Sequence, residues 1–145
     1  TSLAENTKVS YSILSFYNQL GLIYYNSKEI LIALKYFKKT LSIAKMLNNI
    51  QGIIFNTYNI SDIFREIGQK ERAKKGLLKI IKNYADSTDI NFLKRIGKEF
   101  LELAKDEKEK QKFFKILINC ANRLKNSNLF DEIIKNNWKK IKGER

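Results

Sequence analysis

Few residues in this 145-residue chain have the types and spacing that nucleophilic or metal-assisted chemistry needs. Histidine is absent, which removes Ser-His-Asp and Cys-His arrangements and most zinc sites. Cys120 is the single cysteine and lies between Leu117 and Leu124 on the apolar stripe of a predicted helix. We therefore expect a buried core thiol, not a nucleophile, and a reducing, cytoplasmic setting without a disulfide framework.

The carboxylate pairs are also poor candidates for general acid–base catalysis. They lie in lysine-rich helical surface, where solvated charge is expected. These pairs are Glu99 with Glu102 and Glu107 with Glu109. No glycine-rich phosphate loop and no EF-hand spacing occurs in the sequence. The sequence thus predicts a protein that is not an enzyme, with no metal site and no cofactor.

The composition predicts long helices joined by short loops. Hydrophobic residues make up 43% of the chain, proline is absent and glycine occurs six times. Sheet proteins with many tight turns need more proline and glycine than this. Seven helices are expected, with Ser27 as the N-cap of the second and Gly68 as the C-cap of the third. No apolar run approaches the roughly 18 residues of a membrane span, so no membrane association is predicted.

A recurring pattern of aromatic, small and apolar residues marks the helix pairs. Its first copy is Tyr17-x-x-Leu20-Gly21-x-x-Tyr24 followed by Ala33-x-x-x-Phe37. The second copy is Thr57-x-x-Ile60-Ser61-x-x-Phe64 followed by Ala73-x-x-x-Leu77. The third is Leu93-x-x-Ile96-Gly97-x-x-Phe100 followed by Glu109-x-x-x-Phe113. The pattern resembles the tetratricopeptide repeat, a two-helix unit of roughly 34 residues.

This resemblance implies an all-α, right-handed superhelix of antiparallel helix pairs. The chain is then one repeat domain, residues 1–145, with units at about 14–53, 54–89 and 90–126 and a capping helix at 128–142. Small residues are expected where the two helices of a unit approach most closely. They are Gly21 with Ala33 in the first unit and Ser61 with Ala73 in the second, whereas Glu109 departs from the pattern in the third.

The resemblance also implies a peptide-binding groove lined by the first helix of each unit. Amide side chains in such a groove pair with the N–H and C=O groups of a bound backbone, and Arg and Lys bind carboxylates. The aligned positions are Asn18, Gln19, Leu22, Tyr25, Asn26, Phe55, Tyr58, Asn59, Asp62, Arg65, Asn91, Lys94, Arg95 and Lys98. Nine of them form the predicted peptide-binding set, which favours acidic protein or peptide partners: Asn18, Tyr25, Tyr58, Asn59, Arg65, Asn91, Lys94, Arg95 and Lys98.

The basic charge leaves a second class of function open. The formal net charge is +13, from 28 Lys and Arg against 15 Asp and Glu. The alternative is a nucleic-acid-binding helical repeat that uses the basic helix from Lys70 to Lys82 as its convex face. Abundant Lys, Asn and Ile are also typical of an AT-rich coding sequence. We favour this compositional explanation, so nucleic acid is not the expected partner of the chain.

The first helix is apolar on two sides, which predicts neighbours on both. One side carries Val9, Ile13, Phe16, Leu20 and Ile23, and the other carries Leu14, Tyr17 and Tyr24. We expect an open N-terminal edge that packs on an upstream repeat, another domain or a second copy, within a longer parent protein. The long repeats resemble the C-terminal arrays of peptide-sensing transcription regulators. The leading hypothesis is a protein- or peptide-binding module, and an oligomerisation scaffold is a further alternative.

Overall fold

The computed structural model describes residues 3–141, and this part of the chain is all-α, as predicted. Its elements are α1 Leu3–Asn26, α2 Ile30–Met46, α3 Ile50–Glu66, α4 Lys70–Asn83, a 3-10 turn at Ala85–Ser87, α5 Ile90–Glu102, α6 Glu107–Arg123 and α7 Asp131–Ile141. Within these residues, helix α1 packs on α2 and α2 packs on α3, while α5 contacts both α6 and α7. None of the helices in residues 3–141 combines the length and hydropathy that crossing a membrane requires.

The chain divides into two compact units, Thr1–Gly76 and Leu77–Arg145, with the boundary inside α4. Packing between successive helices is consistent with a helical repeat. The right-handed superhelix and the boundaries of the repeats stay predictions. Residue 142, the predicted end of the capping helix, lies outside the described residues, and α7 begins at Asp131.

Four helices of the described chain end in the same left-handed turn. The residues with positive φ, between 52° and 84°, are Lys28, Asn48, Gly68 and Lys125, which follow α1, α2, α3 and α6. In each turn the next amide donates to a carbonyl five residues earlier, as Gln69 N does to Phe64 O at 2.8 Å. This bond closes a Schellman motif. The prediction of Gly68 as a C-cap glycine is therefore confirmed.

The prediction of Ser27 as an N-cap is wrong. Glu29 is the residue that precedes α2, and its side chain makes no capping hydrogen bond. Ser27 belongs instead to the end of α1, where its amide donates to Ile23 O at 3.0 Å. The left-handed conformation at Lys28 carries the chain into α2. Because lysine rarely adopts this conformation, the sequence gives no warning of the turn.

A reciprocal pair of side chains begins α6. Asp106 accepts a hydrogen bond from Glu109 N at 2.8 Å, and Glu109 Oε1 accepts one from Lys105 N at 3.2 Å. The arrangement resembles a capping box, in which two unpaired amides at a helix start are satisfied together. It explains why the third copy of the sequence pattern has Glu109 at the small-residue position. Asn49 and Asp89 cap α3 and α5 with their side chains.

Small residues recur at one place in three helices. Gly21, Ser61 and Gly97 each lie five residues before the last residue of α1, α3 and α5. A Cβ added to Gly21 would lie 2.7 Å from Cε1 of Phe37 on α2, and one added to Gly97 would lie 2.7 Å from Cε1 of Phe130. A ring therefore packs directly on the backbone at both glycines. The expectation of close helix approach at Gly21 is confirmed.

Helix α4 meets α3 through a glycine that the sequence pattern did not single out. A Cβ added to Gly76 would lie 1.8 Å from Oγ of Ser61 and 3.6 Å from the carbonyl oxygen of Thr57. Ala73, the residue aligned with Ser61 by the motif, is fully buried one turn earlier. The close contact of this helix pair therefore joins Ser61 to Gly76.

The motif tyrosines of α1 attach it to α2. Tyr24 stacks on Tyr36 with ring centroids 5.5 Å apart and planes within 3°, and Tyr17 lies 5.9 Å from the same ring. The Lys39 ammonium is 5.4 Å from the Tyr17 centroid and 5.7 Å from that of Tyr36. This lysine makes cation–π contacts with the cluster and is not simply solvated.

Candidate functional site

The first unit holds five of the nine predicted peptide-binding residues. They are Asn18 and Tyr25 on α1, and Tyr58, Asn59 and Arg65 on α3. Asn18, Tyr25, Asn59 and Arg65 are half-buried, and each presents part of its side chain to solvent. Tyr58 is only 9% exposed, so a ligand could reach no more than an edge of its ring.

Asp62 joins two of these residues across α1 and α3. The Tyr25 hydroxyl donates to Asp62 Oδ2 at 3.1 Å, and Arg65 Nη2 donates to Asp62 Oδ1 in a salt bridge. The ring of Tyr25 packs against the core around Ala33 and Phe37. Tyr25 therefore has an apolar body fixed by packing and a polar end fixed by Asp62, as suits a tyrosine at the rim of a core.

The environment of Tyr25 favours its neutral form. Burial is the largest cause, and the negative charge and hydrogen bond of Asp62 add to it, with a smaller contribution from Glu66. Together they raise the pKa of Tyr25 from 10.0 to about 12. The hydroxyl therefore remains a hydrogen-bond donor at every pH at which the chain would act.

Asp62 was among the aligned groove positions but outside the predicted binding set. In the structure its carboxylate accepts from Tyr25 of α1 and pairs with Arg65 of its own helix, α3. Its carboxylate partly neutralises Arg65, so this arginine is less available to a ligand carboxylate than the sequence suggested. The three-residue spacing of Asp62 and Arg65 on one helix was the sequence signal for this pairing.

The second unit holds the other four predicted residues, all on one side of α5. Asn91, Lys94, Arg95 and Lys98 are spaced for one helix face, and each is exposed. The opposite side of the helix is buried through Leu93, Ile96, Gly97, Phe100 and Leu101. Asp89 fixes the start of the helix by accepting from Phe92 N at 3.1 Å. The result is a polar ridge on a helix whose other side is buried, which we call the α5 ridge.

Arg95 has an acidic neighbour on its own helix. Its Nε lies 3.4 Å from Glu99 Oε1, one turn later. The Arg95 side chain is 67% exposed, whereas that of Glu99 is 13% exposed. Lys94 and Lys98 lie beside this pair on the same ridge. The ridge therefore keeps a positive surface with one arginine held in place by a partly buried carboxylate.

One continuous surface built from all nine residues stays a prediction. Tyr25 and Arg65 are brought together through Asp62, and the four residues of the α5 ridge share one helix face. The first group belongs to the unit Thr1–Gly76 and the second to the unit Leu77–Arg145. Each group can be tested separately by substitution.

The basic face predicted for α4 needs a correction. Lys74 is 6% exposed, and its ammonium lies 2.7 Å from Glu71 Oε1 on the same helix. The guanidinium of Arg72 lies 5.4 Å from the Phe64 centroid. Lys70, Lys75 and Lys82 are exposed. Helix α4 thus presents fewer solvated cations than its amino-acid sequence suggests.

The single thiol lies in the core of the second unit. Cys120 is 1% exposed, and its Sγ donates to Ile81 O at 3.6 Å; Arg123 Nη2 donates to the same oxygen at 2.8 Å. Burial raises the pKa of Cys120, and the nearby charge of Arg123 opposes this effect only in part. The expectation of a core thiol is confirmed.

The described residues contain no cluster of three or more Cys, Asp and Glu side chains placed to hold a metal ion. Comparison with known family models, with curated proteins and with solved structures finds no match to this chain. The assignment of a function therefore depends on the geometry and chemistry of the residues themselves.

Proposed function

We propose that this chain is a protein- or peptide-binding helical-repeat module whose ligands are acidic or end in a carboxylate. The observation that carries the proposal is the α5 ridge. Four polar side chains, three of them cationic, stand exposed on one face of a helix whose opposite face is anchored in the core. A rigid helix positions such groups more precisely than a loop does.

The chemistry of the ridge selects the class of ligand. Asn91 offers an amide that can both donate to and accept from a peptide backbone. Lys94 and Lys98 supply ammonium groups, and Arg95 is oriented by Glu99. These groups complement carboxylates, and a peptide lying along the helix would meet them in succession. In the other unit, Asn18 on α1 and Asn59 on α3 are half-buried amides with the same capacity to pair with a peptide backbone.

The more specific form of the proposal is the sensor part of a cytoplasmic, peptide-responsive transcription regulator. It is supported by the resemblance of the sequence pattern to long tetratricopeptide repeats. The proposal assigns binding and no catalysis, because the sequence lacks histidine and its thiol is buried. A regulator of this type would use the ligand to bias the packing of successive helices.

The proposal is tested by direct binding of fluorescent peptides. The probes are pools of labelled decapeptides, one rich in Asp and Glu, one rich in Lys and Arg, and an acidic pool with amidated ends. Binding is measured by fluorescence anisotropy at about 0.15 M salt, where long-range attraction is screened. We expect saturable binding of the acidic pool and none of the basic pool. The amidated pool shows how much the terminal carboxylate contributes.

Two site variants and one control locate the binding. Asn59→Ala with Arg95→Ala tests the predicted set, and Lys94→Ala with Lys98→Ala tests the α5 ridge. Each pair should weaken binding of the acidic pool by about tenfold or more. The control, Lys108→Ala with Lys112→Ala, removes two exposed lysines from α6 and should leave binding unchanged. Equal binding by all variants, with unchanged helical circular dichroism, would refute the proposed site.

A further inference from the structure

A cavity of the second unit is formed by α4 and α6, and we call it the α4–α6 cavity. Its volume is about 320 Å³, which falls within the range of about 300–1,000 Å³ typical of small-molecule sites. All of its lining residues belong to the unit Leu77–Arg145, and none is among the nine predicted for peptide binding. They are Ile81, Lys82, Ile116, Asn119, Cys120 and Arg123.

Three side chains of the α4–α6 cavity can donate hydrogen bonds to a ligand. Lys82 and Arg123 are cations, Asn119 carries an amide, and all three are exposed. The other lining side chains, two isoleucines and the thiol, are buried or half-buried. Apolar walls with a few polar groups that converge on them are the usual make-up of a small-molecule site.

Arg123 is held in position by the end of α4. Its Nη2 donates to Ile81 O at 2.8 Å. The Ile81 carbonyl is among the last four of α4, and such carbonyls have no amide partner within their helix. This bond uses one of the five N–H groups of the guanidinium, so the others remain for a ligand. The arginine is therefore oriented before a ligand arrives, which lowers the entropic cost of binding.

The two cations of the α4–α6 cavity are not neutralised by the chain itself. Among residues 3–141, neither Lys82 nor Arg123 forms an ion pair, and no Asp or Glu lines the cavity. The single acidic residue of α4, Glu71, is paired with Lys74, and the glutamates of α6 lie in its first turn. Two unpaired cations in one cavity favour a ligand that carries two negative charges.

The number and kind of donors indicate the ligand. A phosphate monoester carries close to two negative charges near neutral pH and has three terminal oxygens that accept hydrogen bonds. A single carboxylate has one charge and two oxygens, so it would leave one cation unpaired. We propose that the α4–α6 cavity binds a small molecule that carries a phosphate monoester, with Lys82, Asn119 and Arg123 as the donors to its oxygens.

Titration of the full chain with glycerol phosphate tests the proposal. The backbone amide signals are followed by NMR at about pH 8, where the monoester is a dianion, and at about 0.15 M sodium chloride, where long-range attraction is screened. We expect saturable shifts at Lys82, Asn119 and Arg123. Succinate has the same charge but spreads it over two separate carboxylates, so it should bind about tenfold more weakly or less. Equal binding of succinate, or no saturable shift at these residues, would overturn the proposal.

Two variants with matched controls locate the site. Asn119→Asp adds a negative charge to the cavity and should weaken binding of glycerol phosphate by about tenfold or more. Asn122→Asp makes the same change at an exposed position of α6 outside the lining and should leave binding unchanged. Lys82→Ala should weaken binding as well, whereas Lys75→Ala, at an exposed position of α4 outside the lining, should not. Variants that bind as well as their controls would contradict the cavity as the site.

Arg123 is tested with its charge retained, because its removal would also take a hydrogen bond from Ile81 O. Arg123→Lys keeps a cation but loses the planar fork that binds phosphate oxygens in pairs. We expect weaker binding of glycerol phosphate while the helical circular dichroism spectrum is unchanged. An arginine that only caps α4 would give a lower melting temperature with unchanged affinity, and that result would contradict its role in binding.

This proposal does not depend on peptide binding by the α5 ridge. Lys94→Ala with Lys98→Ala removes two positive charges from the same unit and should leave binding of glycerol phosphate unchanged. Asn119→Asp should in turn leave binding of the acidic peptide pool unchanged. Loss of glycerol phosphate binding in the ridge variant, with normal binding in Asn119→Asp, would assign the phosphate to the ridge and overturn the cavity as its site.

Discussion

Asp62 on α3 bonds to a tyrosine of α1 and to an arginine of its own helix. It accepts from Tyr25 and is paired with Arg65, so one carboxylate both fixes a tyrosine and neutralises an arginine. A single substitution there would remove one bond from each of these two residues at once. For this reason Asp62 is less informative as a mutant than Tyr25, whose titration reports the network without dismantling it.

Tyr25 should lose its proton at a higher pH than an ordinary tyrosine does. Its pKa is about 12 in the folded chain against 10.0 for an ordinary tyrosine, so the folded state holds this proton more tightly. The stabilising contribution is complete below pH 10 and is lost as the pH rises towards about 12. Phenolate absorbance should show a late step that Tyr25→Phe removes. Tyr11→Phe, at an exposed position on α1, should leave that step in place, and a late step that persists in Tyr25→Phe would contradict the assignment.

At the scale of the helices, Gly21 sets the distance between α1 and α2. Gly21→Leu should destabilise the fold by about 1–3 kcal/mol, because its side chain would enter the space of the Phe37 ring. Ser15→Leu adds the same side chain at an exposed position of α1 and should change the melting temperature little. Thermal unfolding followed by circular dichroism checks both. Equal melting temperatures would show that the ring moves aside without cost.

The helices and their closest contacts could be read from the sequence wherever a pattern repeats. Gly21 and Ala33 were predicted at a helix contact, and both are buried. Seven helices were expected, and the described residues form seven. The helices follow from the periodicity of apolar residues, and the close contact follows from small residues where a larger side chain has no space. Both patterns are visible in the amino-acid sequence.

Three features were not predicted from the sequence. They depend on side-chain contacts or on an unusual backbone conformation. Lys74 was placed on a solvated face, yet it is buried beside Glu71. Lys28 adopts a left-handed turn that lysine rarely takes, which displaced the expected cap from Ser27. Gly76 meets Ser61 across two helices. Nothing in the identity of these residues specifies such neighbours; only the packed helices do.

The whole molecule carries a formal net charge of +13, which could reflect either composition or nucleic-acid binding. If it is mainly compositional, DNA and RNA oligonucleotides should bind weakly and only at low salt, because such binding depends on counterion release. Fluorescence anisotropy at about 0.15 M salt should therefore show no submicromolar affinity. Tight binding that is abolished by reversing Lys70, Lys75 and Lys82 to Glu would favour the nucleic-acid alternative. Lys74 is excluded from this set, since its reversal would place a second carboxylate beside Glu71.

The buried thiol of Cys120 is a natural probe of local opening in the second unit. Cys120 is the one cysteine in the sequence and is held beside the Ile81 carbonyl in the second unit. A thiol reagent can reach it only during moments when its surroundings open, so the labelling rate, divided by the rate for the unfolded chain, measures how often they do. No probe needs to be introduced, and the first unit contributes no signal. Ligands that tighten or loosen the helices around Cys120 would then be detected by mass spectrometry as slower or faster uptake of the reagent.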